Sequence, residues 1–280
     1  MLDSDVVLPA DDDDFAKFKQ LCESKESWSE CYSKKNVTVA TKHQENSNVK
    51  LLRAVTSFSD VSAGTIFDVV HDTEYRRKWD HDMIKMDEVC KICVNNTVSY
   101  YAVKCPTPVK PRDVVFLCSW IAYPNMREPK EYIMINKSVS HSDFPPKSNM
   151  VRAISLVTGY HIRPTGPNSA DFTYLTQFDP RGKLPKWVVN KVAEFFTPKV
   201  IYRIHKAARK YVAWKQNHNP RLKPWLWPEQ CRLPMAKPGQ LSAKVDEVET
   251  IDETSAREEN GTNGGTSKDP IVVSEDEEED

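Results

Sequence analysis

The chain of 280 residues contains no run of about 18 consecutive apolar residues, so no segment is expected to cross a membrane as a helix. Its first residues, 1–5, carry neither a basic nor an apolar stretch, and we therefore expect no secretory signal. The motifs Gly-x-Ser-x-Gly, His-Glu-x-x-His and the Walker phosphate loop are also missing. These absences argue against a membrane-spanning protein and against three common groups of enzymes.

Cysteine is present without a pattern that would indicate a disulfide framework or a metal site. The seven cysteines are scattered and odd in number, which is typical of free thiols in a reducing compartment. Cys90 and Cys93 have the spacing of half a zinc site. Since no second pair with suitable spacing follows, we predict that the chain holds no metal.

The charges are divided unevenly along the chain, although the net charge is only −1. Residues 241–280 carry 14 acidic and 3 basic side chains, a net charge of −11, which leaves 26 acidic and 36 basic side chains, a net charge of +10, in residues 1–240. A basic body with an acidic tail suits an anionic partner for which the tail can compete. An anionic membrane and a nucleic acid both fit, and a tail that only aids solubility is the alternative.

The apolar patterns predict an α+β fold with an antiparallel sheet, because helices and strands are segregated rather than alternating. A short amphipathic helix is predicted at 15–22 and one or two helices at 63–80. Runs rich in β-branched and aromatic residues predict strands at Trp28–Ser33, Val37–Lys42, Val49–Phe58, Val98–Cys105, Asp113–Tyr123, Tyr132–Ser140, Met150–Ile162 and Phe172–Phe178.

The longest helical pattern covers 185–214, with one apolar stripe and several basic residues beside it. Pro198 interrupts this pattern and is expected to kink or divide the helix. Such a helix can close an apolar cavity or lie on an anionic bilayer. We divide the chain into a short N-terminal extension at 1–12, a domain at 13–232 that includes the Trp-rich segment 220–228, and a disordered acidic tail at 233–280.

The segment Tyr75–Asp80 is the most informative stretch, because three cations, two aromatic rings and a carboxylate lie within six residues. If this helical segment packs on a core, an arginine must point inward, and a buried guanidinium requires an anion. Asp80 lies four residues after Arg76, close enough to pair with it, and a phosphate is the other natural partner. The alternative is a solvated basic turn anchored by Trp79.

This segment and five later ones resemble, in order, the START (StAR-related lipid-transfer) family, and within it the phosphatidylcholine-transfer-protein-like subgroup. The resemblance spans roughly residues 15–214. It implies a helix-grip fold, in which a curved antiparallel sheet wraps a long C-terminal helix and encloses one lipid in a tunnel. The family is not usually catalytic. The later segments are Tyr100–Pro106, Arg112–Val115, Val151–Ala153, Gly159–Tyr160 and Leu184–Lys191.

The resemblance also implies a headgroup site. Arg76 matches the position that meets the lipid phosphate, and Asp80 matches its charge partner. Of three positions that form an aromatic choline cage in the phosphatidylcholine-specific relative, only Tyr101 is aromatic here, and the others are Val114 and Leu156. Because the cage is incomplete, ethanolamine lipids are expected to bind as well as choline lipids. Thr158 is included in the same headgroup set.

A gate is implied beside the C-terminal helix. The loop Lys104–Arg112 matches the family's lid, and it is rich in proline. Because a buried two-chain lipid needs an exit, the loop and the helix are expected to separate at membranes. The predicted gate residues are Pro106 and Pro108 in the loop and Pro198, Val200, Ile204 and Tyr211 in the helix.

The predicted function is that of a non-catalytic protein that carries phosphatidylcholine or phosphatidylethanolamine between membranes. We expect a monomer in the cytoplasm that visits membrane surfaces transiently, with no nucleic-acid partner and no cofactor besides the lipid. A lipid-sensing adaptor that regulates a protein partner is the main alternative. An enzyme on a related scaffold and a nucleic-acid-binding protein are further alternatives, but the strands offer no acid–base pair and the aromatic residues are typical of a core.

The acidic tail contains one candidate modification site. Ser274 is followed directly by Glu275, Asp276, Glu277 and Glu278, the pattern preferred by acidophilic kinases of the casein-kinase-two type. Phosphorylation would add about −1.5 to −2 charges to the tail. The same region, where 271–273 precede the acids, resembles a SUMO-interacting peptide, which binds by adding a strand to its partner.

Overall fold

The computed structural model describes residues 5–45, 47–123, 130–245 and 251–256. Across these residues, the helices are α1 (Asp12–Glu23), α2 (Ala63–His71), α3 (Thr73–Trp79), α4 (Lys186–Lys191) and α5 (Thr197–Gln216), with a π-helix at Val192–Phe196 and a 3-10 helix at Pro228–Gln230. The strands are β1 (Ser29–Lys34), β2 (Val37–Gln44), β3 (Ser47–Phe58), β4 (Met83–Cys90), β5 (Asn96–Val103), β6 (Arg112–Tyr123), β7 (Glu131–Ser138), β8 (Ser140–His141), β9 (Val151–Arg152), β10 (Ile154–Gly166), β11 (Ser169–Asp179) and β12 (Leu241–Ser242).

The predicted α+β fold with an antiparallel sheet is confirmed. Nine strands lie in the order β1-β2-β3-β11-β10-β7-β6-β5-β4, and β9 pairs in parallel with β6. Among the described strands, β1 and β4 form the two edges, so the sheet does not close. Strand β4 was not predicted, because its charged residues break the apolar alternation that marked the other strands. None of the described helices is long and apolar enough to span a membrane.

The inner face of the sheet holds α2, α3 and α5, and here the long C-terminal helix buries its apolar stripe. Ile201, Ile204, Ala208 and Tyr211 of α5 are almost fully buried in a cluster that includes strand residues from β2, β3, β6, β10 and β11. The Tyr75 hydroxyl of α3 donates to the Ala207 carbonyl at 2.9 Å. The sheet therefore grips α5, as the predicted helix-grip fold requires.

The division of the C-terminal helix at Pro198 is confirmed, and the structure shows how it occurs. Helix α4 ends at Lys191, a π-helical turn follows, and α5 begins at Thr197 with Pro198 in its first turn. Proline has no N–H and its ring clashes with the preceding helical turn, and the π-helical turn just before Pro198 is the kind of local change in helical pairing that accommodates it. The Thr197 hydroxyl donates to the Val192 carbonyl at 2.8 Å, which satisfies a carbonyl of the π-helical turn.

The outer face of the sheet is covered by α1. An N-terminal capping box formed by Asp11 and Asp14 starts this helix, and Phe15 and Phe18 pack on the sheet. Helix and sheet approach most closely at Gly159, where a Cβ atom would overlap the Met134 carbonyl oxygen and come within 2.8 Å of the Phe18 ring. A side chain at this position would force α1 away from the sheet.

Two buried carboxylates tie α2 and α3 to the C-terminal part of the domain. Asp72, the N-cap of α3, accepts from the Tyr211 hydroxyl at 3.0 Å and from the Lys215 ammonium at 2.8 Å. Asp68 accepts from the Lys223 ammonium at 2.6 Å and from the Trp225 indole at 2.8 Å. The predicted packing of the Trp-rich segment onto the domain is thus seen at Trp225, which is buried.

The prediction that the chain is disordered from 233 onward is wrong for residues 233–245 and 251–256. Strand β12 pairs with β8, and the Lys244 ammonium lies 3.0 Å from Asp5 of the N-terminal extension. Composition alone misled the prediction, because a polar segment can be ordered by a few specific contacts with a folded domain. Ser274 and residues 271–273 lie outside the described residues.

Candidate functional site

Helix α3 turns Arg76 toward the inner face of the sheet while its neighbours Arg77 and Lys78 face solvent. Because α3 has only seven residues, its orientation depends on its buried N-cap Asp72, which accepts from the Tyr75 N–H at 3.0 Å. The Arg76 guanidinium carbon lies 5.1 Å from the ring centroid of Trp79 and 6.0 Å from that of Tyr101. The predicted inward arginine is therefore bracketed by two aromatic rings, which stabilise a desolvated cation.

The charge on Arg76 is stabilised by its surroundings. Burial lowers the pKa of this guanidinium, but Tyr160, Asp80 and Tyr101 act in the opposite direction, and Tyr160 also forms a side-chain hydrogen bond with it. The net result is a pKa above the usual value for arginine, so the group is always cationic. A fixed positive charge inside the fold is suited to binding an anion.

Asp80 acts on Arg76 as a nearby charge, and it is oriented by Tyr101. The Tyr101 hydroxyl donates to Asp80 Oδ2 at 3.0 Å. Burial, followed by the negative charge of Asp80, raises the pKa of Tyr101 well above its usual value, so the phenol keeps its proton and remains a donor. The structure thus brings Arg76, Asp80 and Tyr101 together in one cluster.

Val114 and Thr158 also lie on the inner face. Val114 is opposite Tyr101 in the β5–β6 register and is buried. The Thr158 hydroxyl lies 2.6 Å from the Thr176 hydroxyl and accepts from Ser155 at 2.9 Å. These contacts place a small polar group on β10, on the same side of the sheet as Tyr160.

Leu156 does not belong to this cluster, and the prediction for it is corrected. A β-bulge between Ser155 and Val157 shifts the register of β10, so that Leu156 points away from the inner face. Its side chain is 44% exposed and lines an outer groove with Val6 and Leu8 of the N-terminal segment. The resemblance could not reveal this, because a one-residue bulge reverses which side chains face inward.

Tyr160 and Tyr174 are site residues that the sequence interpretation did not identify. Their ring centroids are 5.6 Å apart, and burial raises the pKa of Tyr174 above its usual value. The signal that could have found Tyr160 was the alternation of β10, in which it shares a face with Ile162. Together with Tyr101, these residues give the inner face several hydroxyl groups around Arg76.

Several inner-face side chains keep part of their surface accessible, although strands and α5 surround them. The side chains that are only partly buried are those of Arg76, Asp80, Tyr101, Phe116, Thr158 and Tyr174. A close-packed core would leave such side chains fully covered. The accessible surface therefore indicates space between the sheet and the helices at this cluster.

The predicted gate residues fall into two groups. Pro106 and Pro198 are half-buried, and Pro108 is exposed, as suits the surface of a movable loop. Ile204 and Tyr211, in contrast, are almost fully buried, and the Tyr211 hydroxyl is bonded to a carboxylate. Helix α5 is thus anchored in both halves, whereas the gate residues Pro198 and Val200 are only partly buried at the margin of the core.

Asp82 connects the loop Lys104–Arg112 with α5. Its carboxylate pairs with Arg203 of α5, and its backbone carbonyl accepts from the Lys104 N–H at 2.8 Å. The base of the predicted gate loop is therefore linked to the exposed side of α5. Motion of the loop relative to the helix would have to break or carry along this ion pair.

One group of possible metal ligands occurs among the described residues, on the outer face. Single ligand atoms of Glu23, Glu131 and His161 lie within 4.8 Å of one another. The two Glu131 oxygens already face the Lys19 ammonium and the His161 ring at 2.7 Å each. Because the protein itself supplies partners for that carboxylate, the arrangement is adequately explained as an ion-pair cluster.

An open antiparallel sheet that grips a C-terminal helix, with a cationic side chain between them, defines the helix-grip class of proteins. The chain belongs to the START domain family, whose model matches residues 10–215. The expected family is therefore confirmed. The Arg152–Asp113 pair, which was part of the resemblance, is almost fully buried and acts as a structural link between β9 and β6.

The chain is 43% identical to START domain-containing protein 10 of mouse over 264 residues, covering 92% of this chain and 89% of the relative. Identity to bovine phosphatidylcholine transfer protein is 30% over 145 residues, covering 51% of this chain and 66% of the relative. The crystal structure of human STARD10 superimposes with a TM-score of 0.79 at 42% identity, covering 86% of this chain and 96% of that one. These similarities support the same subgroup as the sequence motifs.

Proposed function

We propose that this protein is a non-catalytic phospholipid-transfer protein that binds one glycerophospholipid between the sheet and α5. The observation that carries the proposal is Arg76, a permanently charged guanidinium held between the helices and the inner face of the sheet. A buried cation of this kind needs an anionic partner, and a lipid phosphate provides one. The names of the relatives, which include a phosphatidylcholine transfer protein, support the choice of a lipid and favour transfer over the adaptor alternative.

In this proposal each polar group has one task. Arg76 has five N–H donors, and its described side-chain hydrogen bond with Tyr160 leaves others to bind the phosphate. Asp80, which is near Arg76 and accepts from Tyr101, supports the guanidinium and can face the amine of the headgroup. The acyl chains would lie against the apolar residues between α5 and the inner strands. No covalent step is required.

Transfer between vesicles tests the proposal directly. Donor vesicles carry a self-quenched fluorescent phosphatidylcholine, acceptor vesicles carry none, and the protein is added in catalytic amount. The proposal predicts a protein-dependent rise in fluorescence that scales with protein concentration. Absence of transfer with choline and ethanolamine lipids alike would contradict it.

Headgroup selectivity is expected to be weak. Val114 cannot supply a cation–π contact, and Leu156 lies outside the site. Of the three expected cage positions, Tyr101 is therefore the one that places an aromatic ring in the site. Competition between choline and ethanolamine vesicles should therefore show uptake equal within about fivefold, since one aromatic contact at a partly exposed site contributes only about 0.5–1 kcal/mol. Val114→Tyr, which restores a ring opposite Tyr101, should shift uptake toward choline. Strict choline selectivity of the unaltered protein would contradict the incomplete cage.

The surface around the start of α5 suits brief contact with an anionic membrane. Val189, Val192 and Phe195 are each more than 40% exposed, and the Lys199 ammonium lies 5.7 Å from the Phe195 ring centroid. Apolar side chains beside lysines are typical of interfacial helices, which insert shallowly and attract anionic lipids. We therefore propose a monomeric cytoplasmic protein that is peripheral on membranes only during lipid exchange, with no nucleic-acid partner.

Phosphorylation of Ser274 by an acidophilic kinase is proposed to weaken this membrane contact. Residues 241–280 already carry a net charge of −11 opposite a body of +10, and a phosphate adds about −1.5 to −2. The tail would then compete better with anionic lipid for the basic face, most strongly at low salt.

Vesicle co-sedimentation and transfer assays should show weaker binding and slower transfer for the phosphorylated protein than for Ser274→Ala treated with the same kinase. The unphosphorylated proteins serve as the control and should behave alike. Equal binding and transfer after kinase treatment would remove the switch and leave the tail as a solubility or partner-binding segment, with SUMO as one such partner.

A further inference from the structure

Residues 251–256, here called the strap, lie across the loop Lys104–Arg112, here called the gate loop. The strap was expected to be disordered, yet its Glu253 carboxylate is only 9% exposed. Glu253 Oε1 accepts from the Lys110 backbone N–H at 2.7 Å, and Oε2 accepts from the Arg112 guanidinium at 2.7 Å. One side chain of the strap thus holds both the backbone and the final residue of the gate loop.

Arg112 is built to receive this carboxylate. Its side chain is 2% exposed, and it donates to the backbone carbonyls of Lys110, Pro180 and Arg181. Three neutral carbonyls orient the guanidinium but do not neutralise it, so the Glu253 carboxylate is the anion that balances its charge. A charged pair with this little exposure is far stronger than a surface ion pair.

The other contacts of the strap are with the connection between β11 and α4 and with the first turn of α4. The Ile251 carbonyl accepts from the Lys183 N–H at 2.8 Å, and the Glu253 N–H donates to the Lys183 carbonyl at 3.0 Å. The Ala256 carbonyl accepts from the Trp187 indole at 3.1 Å. The strap passes so close to Gly182 that a Cβ atom there would lie 2.8 Å from the Ile251 carbonyl oxygen.

The strap therefore bridges the gate loop and the start of α4, two elements that must move apart if lipid leaves between the loop and the C-terminal helices. We propose that the strap is an autoinhibitory latch, which holds the gate loop on α4 through Glu253 and Trp187 and so slows lipid exchange. The effect on exchange rests on the proposed function, whereas the latch itself is a property of the fold. It differs from the Ser274 switch, which concerns the membrane-facing charge.

The test uses the full chain and two variants that weaken opposite ends of the strap. Glu253→Gln removes the carboxylate charge at nearly constant shape, and Trp187→Phe removes the indole donor while leaving the Arg112–Glu253 pair in place. Glu229→Gln is the matched control, since Glu229 is an exposed acid in the 3-10 helix at 228–230. Amide hydrogen exchange of residues 104–112 and vesicle-to-vesicle transfer of fluorescent phosphatidylcholine are measured for all four proteins.

Both strap variants should speed hydrogen exchange of the gate loop by about tenfold, which corresponds to about 1.4 kcal/mol, and should speed lipid transfer by several-fold. The control should match the unaltered protein in both measurements. Unchanged loop exchange in the strap variants would overturn the latch, and faster loop exchange with unchanged transfer would overturn its role in lipid release. If Glu253→Gln fails to fold, Trp187→Phe alone decides between these outcomes.

Failure of the latch and failure of the proposed function give different results. If the unaltered protein transfers no lipid but the strap variants still loosen the gate loop, the latch stands and the function assigned to the site is wrong. If the protein transfers lipid and the strap variants behave like Glu229→Gln, the function stands and the latch is wrong.

Discussion

Arg76→Ala is expected to lower phospholipid transfer at least about 30-fold and to leave a folded protein. The substitution removes the charge-assisted donors for the lipid phosphate, and a loss of about 2 kcal/mol corresponds to a factor of about 30. Folding should survive because Arg76 caps no helix and α3 keeps its N-cap and its buried Tyr75 and Trp79. The measurement is fluorescent-lipid transfer between vesicles, with circular dichroism as the check on folding.

Arg77→Ala is the matched control for this prediction, because Arg77 is the next residue of the same helix and is exposed. Its removal deletes the same charge from the protein without touching the inner face, so transfer should change by less than about twofold. If Arg76→Ala and Arg77→Ala were equally active, the phosphate would not be bound by Arg76. If they were equally impaired, the basic surface rather than the inner site would govern transfer.

Asp72→Ala is expected to cause the largest loss of stability. This single carboxylate accepts from the Tyr75 N–H, the Tyr211 hydroxyl and the Lys215 ammonium, and the Lys215 side chain is only 8% exposed. Removing it leaves the buried Lys215 ammonium without its carboxylate and deletes the N-cap of α3. Together these losses should lower the free energy of unfolding by about 3–5 kcal/mol. Urea denaturation of both proteins measures this difference.

Asp60→Ala provides the comparison for Asp72→Ala. Asp60 also pairs with residues of α5, namely His205 and Arg209, but its side chain is 42% exposed. Exposed ion pairs of this type contribute at most about 1 kcal/mol, so the midpoint of denaturation should hardly move. Equal losses in the two variants would show that burial does not determine how strongly these pairs hold α5.

A comparison of Asp72→Ala with Arg76→Ala separates effects on stability from effects on lipid transfer. The Asp72 carboxylate accepts from Tyr75, Tyr211 and Lys215, and so it acts by anchoring α3 and α5 to each other. Its contact with Arg76 is through the backbone carbonyl, which the substitution keeps. At temperatures where Asp72→Ala is fully folded, its transfer should fall less than that of Arg76→Ala.

The sequence predicted an antiparallel sheet, an interruption of the last helix and an inward-facing arginine. Each of these depends on a local pattern of residues. Apolar alternation over whole strands predicted most of the sheet, and Pro198 marked the break before α5. Arg76 could be chosen over Arg77 only through the family resemblance, since three adjacent cations are equivalent by composition.

The failures arose where one residue or one distant contact decides the outcome. The bulge at Leu156 turns a predicted cage residue to the surface. For the same reason the sequence did not show that Tyr160 lies on the inner face of the sheet, where it meets Arg76. The order of residues 251–256 could not be predicted from an acidic composition, because it depends on Arg112, more than 130 residues earlier in the chain.

The central claim is that a phospholipid occupies the space between the sheet and α5 with its phosphate on Arg76. Native mass spectrometry of the purified full-length chain tests it most directly, with collision-induced release to identify the bound molecule. The account predicts a 1:1 complex whose released ligand is a choline or ethanolamine glycerophospholipid, strongly reduced in Arg76→Ala and retained in Arg77→Ala. A protein free of lipid after incubation with such vesicles, or equal lipid occupancy in Arg76→Ala, would contradict it.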